Sequence, residues 1–184
     1  TLFNPPSHIF FPGDLNYRTS DAPPSPSSHR SWPQPADSPS DPHHYSHLLS
    51  HDQLTREQKA DRTLHQLSEA EIAFPPTYKY SSAAQKHAAH AASLGKADAD
   101  DEVWLWASHR VPSWCDRILY SSTTNPKIHA YDALPVQPTS DHRPVALSCS
   151  VSLTNPEDEL RPPFTVTADW RERRAVSYIH LWWR

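Results

Sequence analysis

Four short segments crowd polar side chains against the ends of apolar runs: residues 13–18, 74–80, 112–119 and 140–145. In the first, Gly13-Asp14-Leu15-Asn16-Tyr17-Arg18, Asp14 and Asn16 stand two apart. On an extended chain both would point one way while Leu15 points into the core. A carboxylate beside an amide can orient a water through one group and hold a phosphoryl oxygen through the other. The plain alternative is a turn whose side chains satisfy themselves. In the second, Pro75 and Pro76 fix the approach to Tyr78 and Lys79, a hydroxyl and an ammonium that suit an anion such as phosphate. A rigid loop with a solvated Lys is the alternative there. In the third, Asp116 and Arg117 sit where a loop becomes a strand, and a simple ion pair between them would explain both, with Trp114 in the core. In the fourth, Asp141 and His142 are adjacent and cannot easily bond each other, so His142 needs another carboxylate. Asp116, also at a strand end, is the natural candidate. An Asp-oriented His facing a phosphoryl group can donate a hydrogen bond or a proton.

The elements that must position these segments are readable in part. Ser7 to Phe11 reads as a short buried strand feeding Asp14. Thr55-Arg56-Glu57-Gln58 fits a capping box with Leu54 as its staple, and the helix it opens would carry Ala60, Leu64 and Leu67 on one face. Ile72 to Phe74 reads as a brief strand, and Ala83 to Leu94 as an Ala-rich helix ended by Gly95. Glu102 to Trp106, Arg117 to Tyr120 and Lys127 to Tyr131 are strand candidates. The clearest strand is Pro144 to Leu153, where Val145, Leu147, Cys149, Val151 and Leu153 alternate with small residues. Strands interleaved with helices predict an α/β (α+β) fold.

Composition narrows the function classes. The 17 Lys+Arg against 21 Asp+Glu give a net charge of −4, which argues against a duplex-binding basic face, so no nucleic acid is expected as partner. No apolar run approaches the ~18 residues of a membrane span, and no secretory signal opens the chain. Cys115 and Cys149 lack CxxC spacing and read as reduced thiols. With 2 Gly among 184 residues, turns must lean on Pro, Ser, Asp and Asn. Residues 21–42 hold 7 Pro and 6 Ser with one aromatic, Trp32, and read as a flexible surface insertion. His43, His44, His47 and His51, and His87 and His90, lack acidic or Cys companions at ligand spacing and read as solvated.

In their order, the strings GDLNYR, FPPTYKY, PSWCDRIL and SDHRPV resemble the type II inositol polyphosphate 5-phosphatases of the DNase I-like endonuclease/exonuclease/phosphatase superfamily. Asp52-Gln53-Leu54 and Ser68-Glu69-Ala70-Glu71-Ile72 are similar to the family too. The resemblance implies a DNase I-like four-layer sandwich and Mg²⁺-assisted attack of water on the 5-phosphate of an inositol ring. It implies catalytic roles for Asp14, Asn16, Asp116, Asp141 and His142: Asp14 on the attacking water, Asn16 on the phosphate, Asp116–His142 as a buried pair, and Asp141 beside the metal. It also implies an inositol-phosphate pocket lined by Tyr78, Lys79 and Arg110. The substrate implied is a phosphoinositide or a soluble inositol phosphate.

The match covers roughly the C-terminal half of such a domain, taken here as residues 1–160, with a basic–aromatic tail over 161–184. The family's principal metal-binding Glu belongs to the other half and has no counterpart here, which leaves Asp141 as the remaining candidate ligand. A chain without Met that opens Thr1-Leu2-Phe3 is therefore expected to be a piece of a longer enzyme, inactive alone. Ser108 stands where family members often carry Lys, so the choice among inositol phosphates stays open. Arg171, Arg173, Arg174 and Arg184 with Trp170, Trp182 and Trp183 suit a membrane interface, and a truncated or out-of-frame end is the equal alternative. A cytoplasmic protein, peripheral at a membrane surface, is expected. Another phosphoesterase or nuclease of the superfamily, or a non-catalytic remnant that binds phosphoinositides, are the alternatives.

Overall fold

A computed structural model describes residues 8–96, 104–121, 126–134 and 138–151. The chain forms β1 (Ile9–Asp14), a 3₁₀ turn (Ser28–Ser31), α1 (Tyr45–Leu49), α2 (Gln53–Lys59), β2 (Ser68–Glu69), α3 (Ser82–Ser93), β3 (Asp116–Ser121), β4 (Lys127–Ala133) and β5 (Val145–Ser150). Mixed helices and antiparallel strands make this an α/β fold. The strands fall into a sheet of order β1-β3-β2 and a pair β4-β5.

The register places Asp14 of β1 opposite Asp116 of β3, so two carboxylates meet at one end of the first sheet. β1 is an edge strand, which is why Pro12 is tolerated in it. β5 shows the expected alternation, with Val145, Leu147 and Cys149 more buried than Ala146, Ser148 and Ser150. Phe74, Trp114 and Tyr131 form the core beneath β4 and β5, joined by Tyr45, Leu48 and Ile118. Phe74 meets Tyr131 edge-on at 5.0 Å, and the Trp114 indole donates to the Phe74 carbonyl at 3.0 Å. A second cluster joins Tyr80, Ala84 and Trp104.

Helix α3 matches its reading closely. Ser81 caps it, and Ala84, Ala88 and Ala91 form its buried seam. It closes by a double hydrogen bond, Lys96 N–H to the Ala91 carbonyl and Gly95 N–H to the Ala92 carbonyl, with Gly95 at φ 69°. α2 departs from its reading. Asp52, not Thr55, is the cap, accepting from the Thr55 N–H at 2.9 Å, and the helix stops at Lys59. The stop is the same double bond, Arg62 N–H to Glu57 and Asp61 N–H to Gln58, with Asp61 at φ 51° in the place Gly would take. Leu64 and Leu67 therefore lie beyond the helix. Ile72 to Phe74 is not a strand; the local strand is β2, at Ser68–Glu69.

The Pro/Ser-rich segment is not detached from the body. Trp32 is buried, the Trp106 indole donates to the Pro33 carbonyl at 2.8 Å, and the Gln34 amide pairs with both backbone groups of Trp104. Composition missed this because a single aromatic and a single amide do the anchoring. Both cysteines are free thiols, and burial pushes the Cys115 thiol up to about 12. Among the described residues no helix is long and apolar enough to cross a membrane. The tail, 161–184, lies outside the described residues, as do Leu153 and part of the Glu102–Trp106 candidate.

Candidate functional site

The site is assembled around one extended rib, residues 77–81. Tyr78 exchanges backbone hydrogen bonds with Ser113 at 3.0 and 2.7 Å, and Arg143 N–H donates to the Thr77 carbonyl at 2.8 Å. Tyr80 N–H reaches the Asp141 carbonyl at 2.9 Å. The segments carrying PSWCDR and SDHR are thus stitched to opposite sides of the rib carrying TYKY. The Tyr78–Lys79 peptide is cis.

This stitching brings His142 to Asp116, Nδ1 to Oδ2 at 2.9 Å. The same carboxylate oxygen accepts from the Thr77 hydroxyl at 2.7 Å, and the Thr77 oxygen in turn accepts from the Asp116 N–H at 3.3 Å. Thr77 is fully buried, so the carboxylate is held from two sides. The Tyr78 ring packs on the imidazole at 4.5 Å. With Nδ1 engaged by Asp116, Nε2 is the ring nitrogen available to a ligand. His142 is a quarter exposed, so a ligand can reach it.

Hydrogen bonding to Asp116 raises the His142 pKa, against the opposing effect of burial, with Asp14 and Asp141 adding to the rise. The pair therefore contributes stability that is complete below the ~6.5 of a free imidazole and is lost as pH rises through the folded-state value. We expect the ring to titrate above that reference. Asp116→Asn removes the largest raising contribution and leaves burial in place, so the pKa should fall to or below the reference. A pH titration of the imidazole by NMR checks this; an unchanged midpoint would contradict the pairing.

Lys79 donates to Asp141 at 2.6 Å, which raises the lysine pKa and lowers that of the aspartate. Its Nζ lies 5.4 Å from the centre of the Tyr78 ring. The Arg18 guanidinium covers that ring at 4.3 Å and donates to the Asn16 side chain. Asn16 itself has φ 58°, so the extended alternation with Asp14 ends before it, and its N–H donates to the Asp14 carboxylate at 2.8 Å. Arg110 lines a cavity shared with Arg18 and Ser113.

Asp116 and Arg117 do not pair with each other. Neighbours on a strand face opposite ways, and Arg117 turns into the body of the protein. There it meets Glu69 at 2.7 and 2.5 Å and Asp52 at 3.0 Å, almost wholly buried. Tyr131 donates to Glu69 at 2.7 Å and accepts from the Ile118 N–H at 3.1 Å. The sequence marks no role for Thr77, Arg18 or this network: Thr77, Arg18, Arg117, Asp52 and Glu69 lie inside the family-like strings, and Tyr131 lies outside them.

Among the described residues no three His, Cys, Asp or Glu side chains converge as metal ligands. Asp141, the candidate ligand, holds Lys79 instead, and Asp116 holds His142 and Thr77. The described residues do not by themselves fit a divalent cation.

Comparison with known proteins decides the family. Residues 3–148 match the Endonuclease/Exonuclease/phosphatase family 2. The chain belongs to that family. Phosphatidylinositol 3,4,5-trisphosphate 5-phosphatase 1 of Mus musculus is 32% identical over 95% of this chain and 14% of its own length. The type IV inositol polyphosphate 5-phosphatase 11 of Arabidopsis thaliana is 33% identical over 78% of this chain and 36% of its own length. The chain thus spans a minor part of the relatives it matches. The crystal structure of the inositol polyphosphate 5-phosphatase domain of SPsynaptojanin, in complex with inositol (1,4)-bisphosphate and calcium ion, superposes with a TM-score of 0.53. It shows 27% identity and covers 81% of this chain and 35% of that one. A Cimex nitrophorin mutant, as its ferrous NO complex, gives 0.50 at 25% identity, covering 78% of this chain and 41% of that one. One fold therefore carries unlike functions within this family's reach, and the site residues must decide between them.

Proposed function

We propose that this chain is the phosphate-holding part of an inositol polyphosphate 5-phosphatase, which hydrolyses a phosphate monoester on the ring of a phosphoinositide or soluble inositol phosphate. The observation that carries the reading is the Asp116–His142 pair, opened beside Lys79 with Asp14 at the same sheet end. In this reading His142 Nε2 donates to a phosphoryl oxygen, Asp116 fixes the ring, and Asn16 holds the phosphate. Asp14 orients the attacking water. Tyr78, Lys79 and Arg110 receive the remaining phosphates.

A divalent cation belongs to the reading, supported by the calcium ion of the superposed 5-phosphatase domain, and Mg²⁺ is our choice of ion from the sequence resemblance alone. The described residues do not complete its site, so no step is assigned to it. The 184 residues alone are expected to bind phosphate without turnover. We also place the protein in the cytoplasm, peripheral at a membrane surface through the basic–aromatic tail, with no nucleic-acid partner. Phosphate release from a 5-phosphorylated phosphoinositide, with and without Mg²⁺, tests the reading. A complete catalytic domain carrying this sequence should release phosphate, and the 184-residue chain should not. Silence from the complete domain would overturn the function; metal-dependent release by the chain alone would overturn the incomplete metal site.

A further inference from the structure

We propose that Arg143 is a positioning residue of this site: its guanidinium, laid on the buried ring of Tyr80, seats residues 141–143 so that His142 meets Asp116. This role rests on the 5-phosphatase reading only for the activity it would change.

Arg143 follows His142 directly, yet the two differ sharply in setting. His142 is a quarter exposed, whereas Arg143 is 1% exposed. Its guanidinium lies 3.8 Å from the centre of the Tyr80 ring, within the range over which a desolvated cation is attracted to an aromatic face. The ring that receives it is itself fixed. Tyr80 is 1% exposed, packs on Trp106 at 4.5 Å, and donates its hydroxyl to the Pro76 carbonyl at 3.2 Å.

The backbone supplies two further ties. Tyr80 N–H donates to the Asp141 carbonyl at 2.9 Å, and Arg143 N–H donates to the Thr77 carbonyl at 2.8 Å. His142 lies between the two tied residues. Two backbone bonds leave a short segment able to pivot about the line that joins them. The guanidinium on the Tyr80 ring adds a point off the backbone, and three such points fix orientation as well as place. Thr77 links this seat to the reacting pair, because its carbonyl accepts from Arg143 while its hydroxyl donates to Asp116. His142 and Asp116 are thus both referred to Thr77, and a pivot of residues 141–143 would appear directly in their 2.9 Å contact. Arginine suits the place because its planar, weakly hydrated guanidinium stacks flat on a ring. A methionine would fill similar space without that attraction.

The test places Arg143→Met, Arg143→Lys and Tyr80→Leu in the 184-residue chain and in a complete catalytic domain. In the chain, ¹⁵N NMR of the neutral His142 ring reads which nitrogen carries the proton. The wild-type ring should hold it on Nδ1, facing Asp116. Arg143→Met should shift the ratio of the two tautomers toward Nε2–H by about tenfold, the scale of a desolvated cation–aromatic contact. Tyr80→Leu should do the same, and the double variant should add little to either. Arg143→Lys keeps a cation over the ring and should recover most of the wild-type ratio. In the complete domain, Arg143→Met should lower kcat about tenfold and leave KM within about twofold, as expected for a misplaced reacting group. A residue that only supports folding would lower the urea midpoint and leave the tautomer ratio of the folded protein unmoved. That result, or additive effects of Arg143→Met and Tyr80→Leu, would overturn the seat. Where Arg143→Met does not fold, Tyr80→Leu and Arg143→Lys carry the same comparison. If the ring responds as expected while the wild-type complete domain releases no phosphate, the seat stands and the 5-phosphatase reading falls.

Discussion

His142→Ala, introduced into a complete catalytic domain, is expected to reduce phosphate release by about 10³-fold, within the usual range for loss of a positioned proton donor. The imidazole is the one group in the site that can both donate to a phosphoryl oxygen and exchange a proton near neutral pH. Its geometry is over-determined: Asp116 takes Nδ1, Thr77 pins Asp116 through the same oxygen, and Tyr78 packs on the ring. Asp116→Asn should cost less than loss of the ring, because the amide can still accept a hydrogen bond but no longer favours the imidazolium. Asp14→Ala should match His142→Ala if Asp14 orients the water. The check is kcat against KM for each variant. Activity within a few-fold of wild type in either His142→Ala or Asp14→Ala would remove the mechanism.

The largest effect on stability should come from Arg117, one residue beyond Asp116. Arg117→Met would strand Glu69 and Asp52, which the guanidinium now holds in a nearly dry setting. Removing one partner of a buried ionic network costs about 3–5 kcal/mol, a large share of the ~5–15 kcal/mol that holds a domain together. Burial opposes the charge on Arg117, yet Glu69 and Asp52 more than offset it and keep the group firmly protonated. The consequence reaches the site, because Asp52 also caps α2 and β3 carries Asp116. Urea unfolding measures the loss. Arg117→Met combined with Glu69→Gln should recover part of it, since one stranded charge is removed. A loss below about 1 kcal/mol would show that the network is no more than a surface pair in its energetics.

Much of this site is legible in the sequence. His142 could not use its neighbour Asp141, and Asp116 was the remaining carboxylate at a strand end; the structure joins them. Tyr78 and Lys79 were marked by the two prolines that deliver them. Other parts were hidden for physical reasons. Arg117 finds Glu69 and Asp52 48 and 65 positions away, distances over which spacing says nothing. Thr77 looked like an ordinary rib residue because its hydroxyl acts through Asp116. The end of α2 was missed because Asp61 adopts the left-handed conformation that a pattern reserves for Gly. Composition placed residues 21–42 outside the body, yet Trp32 and Gln34 suffice to bind them to it.

The most direct measurement of the central claim uses the chain itself. Inositol 1,4,5-trisphosphate and inositol 1,4-bisphosphate differ by the 5-phosphate alone, and the His142 ring resonances report which group sits against Nε2. The account predicts that the trisphosphate shifts those resonances and raises the ring pKa further, because a phosphate dianion favours the imidazolium. The bisphosphate should shift the amides of the Arg110 cavity and leave the ring unmoved. Equal ring responses to both ligands, or no response to either, would contradict it.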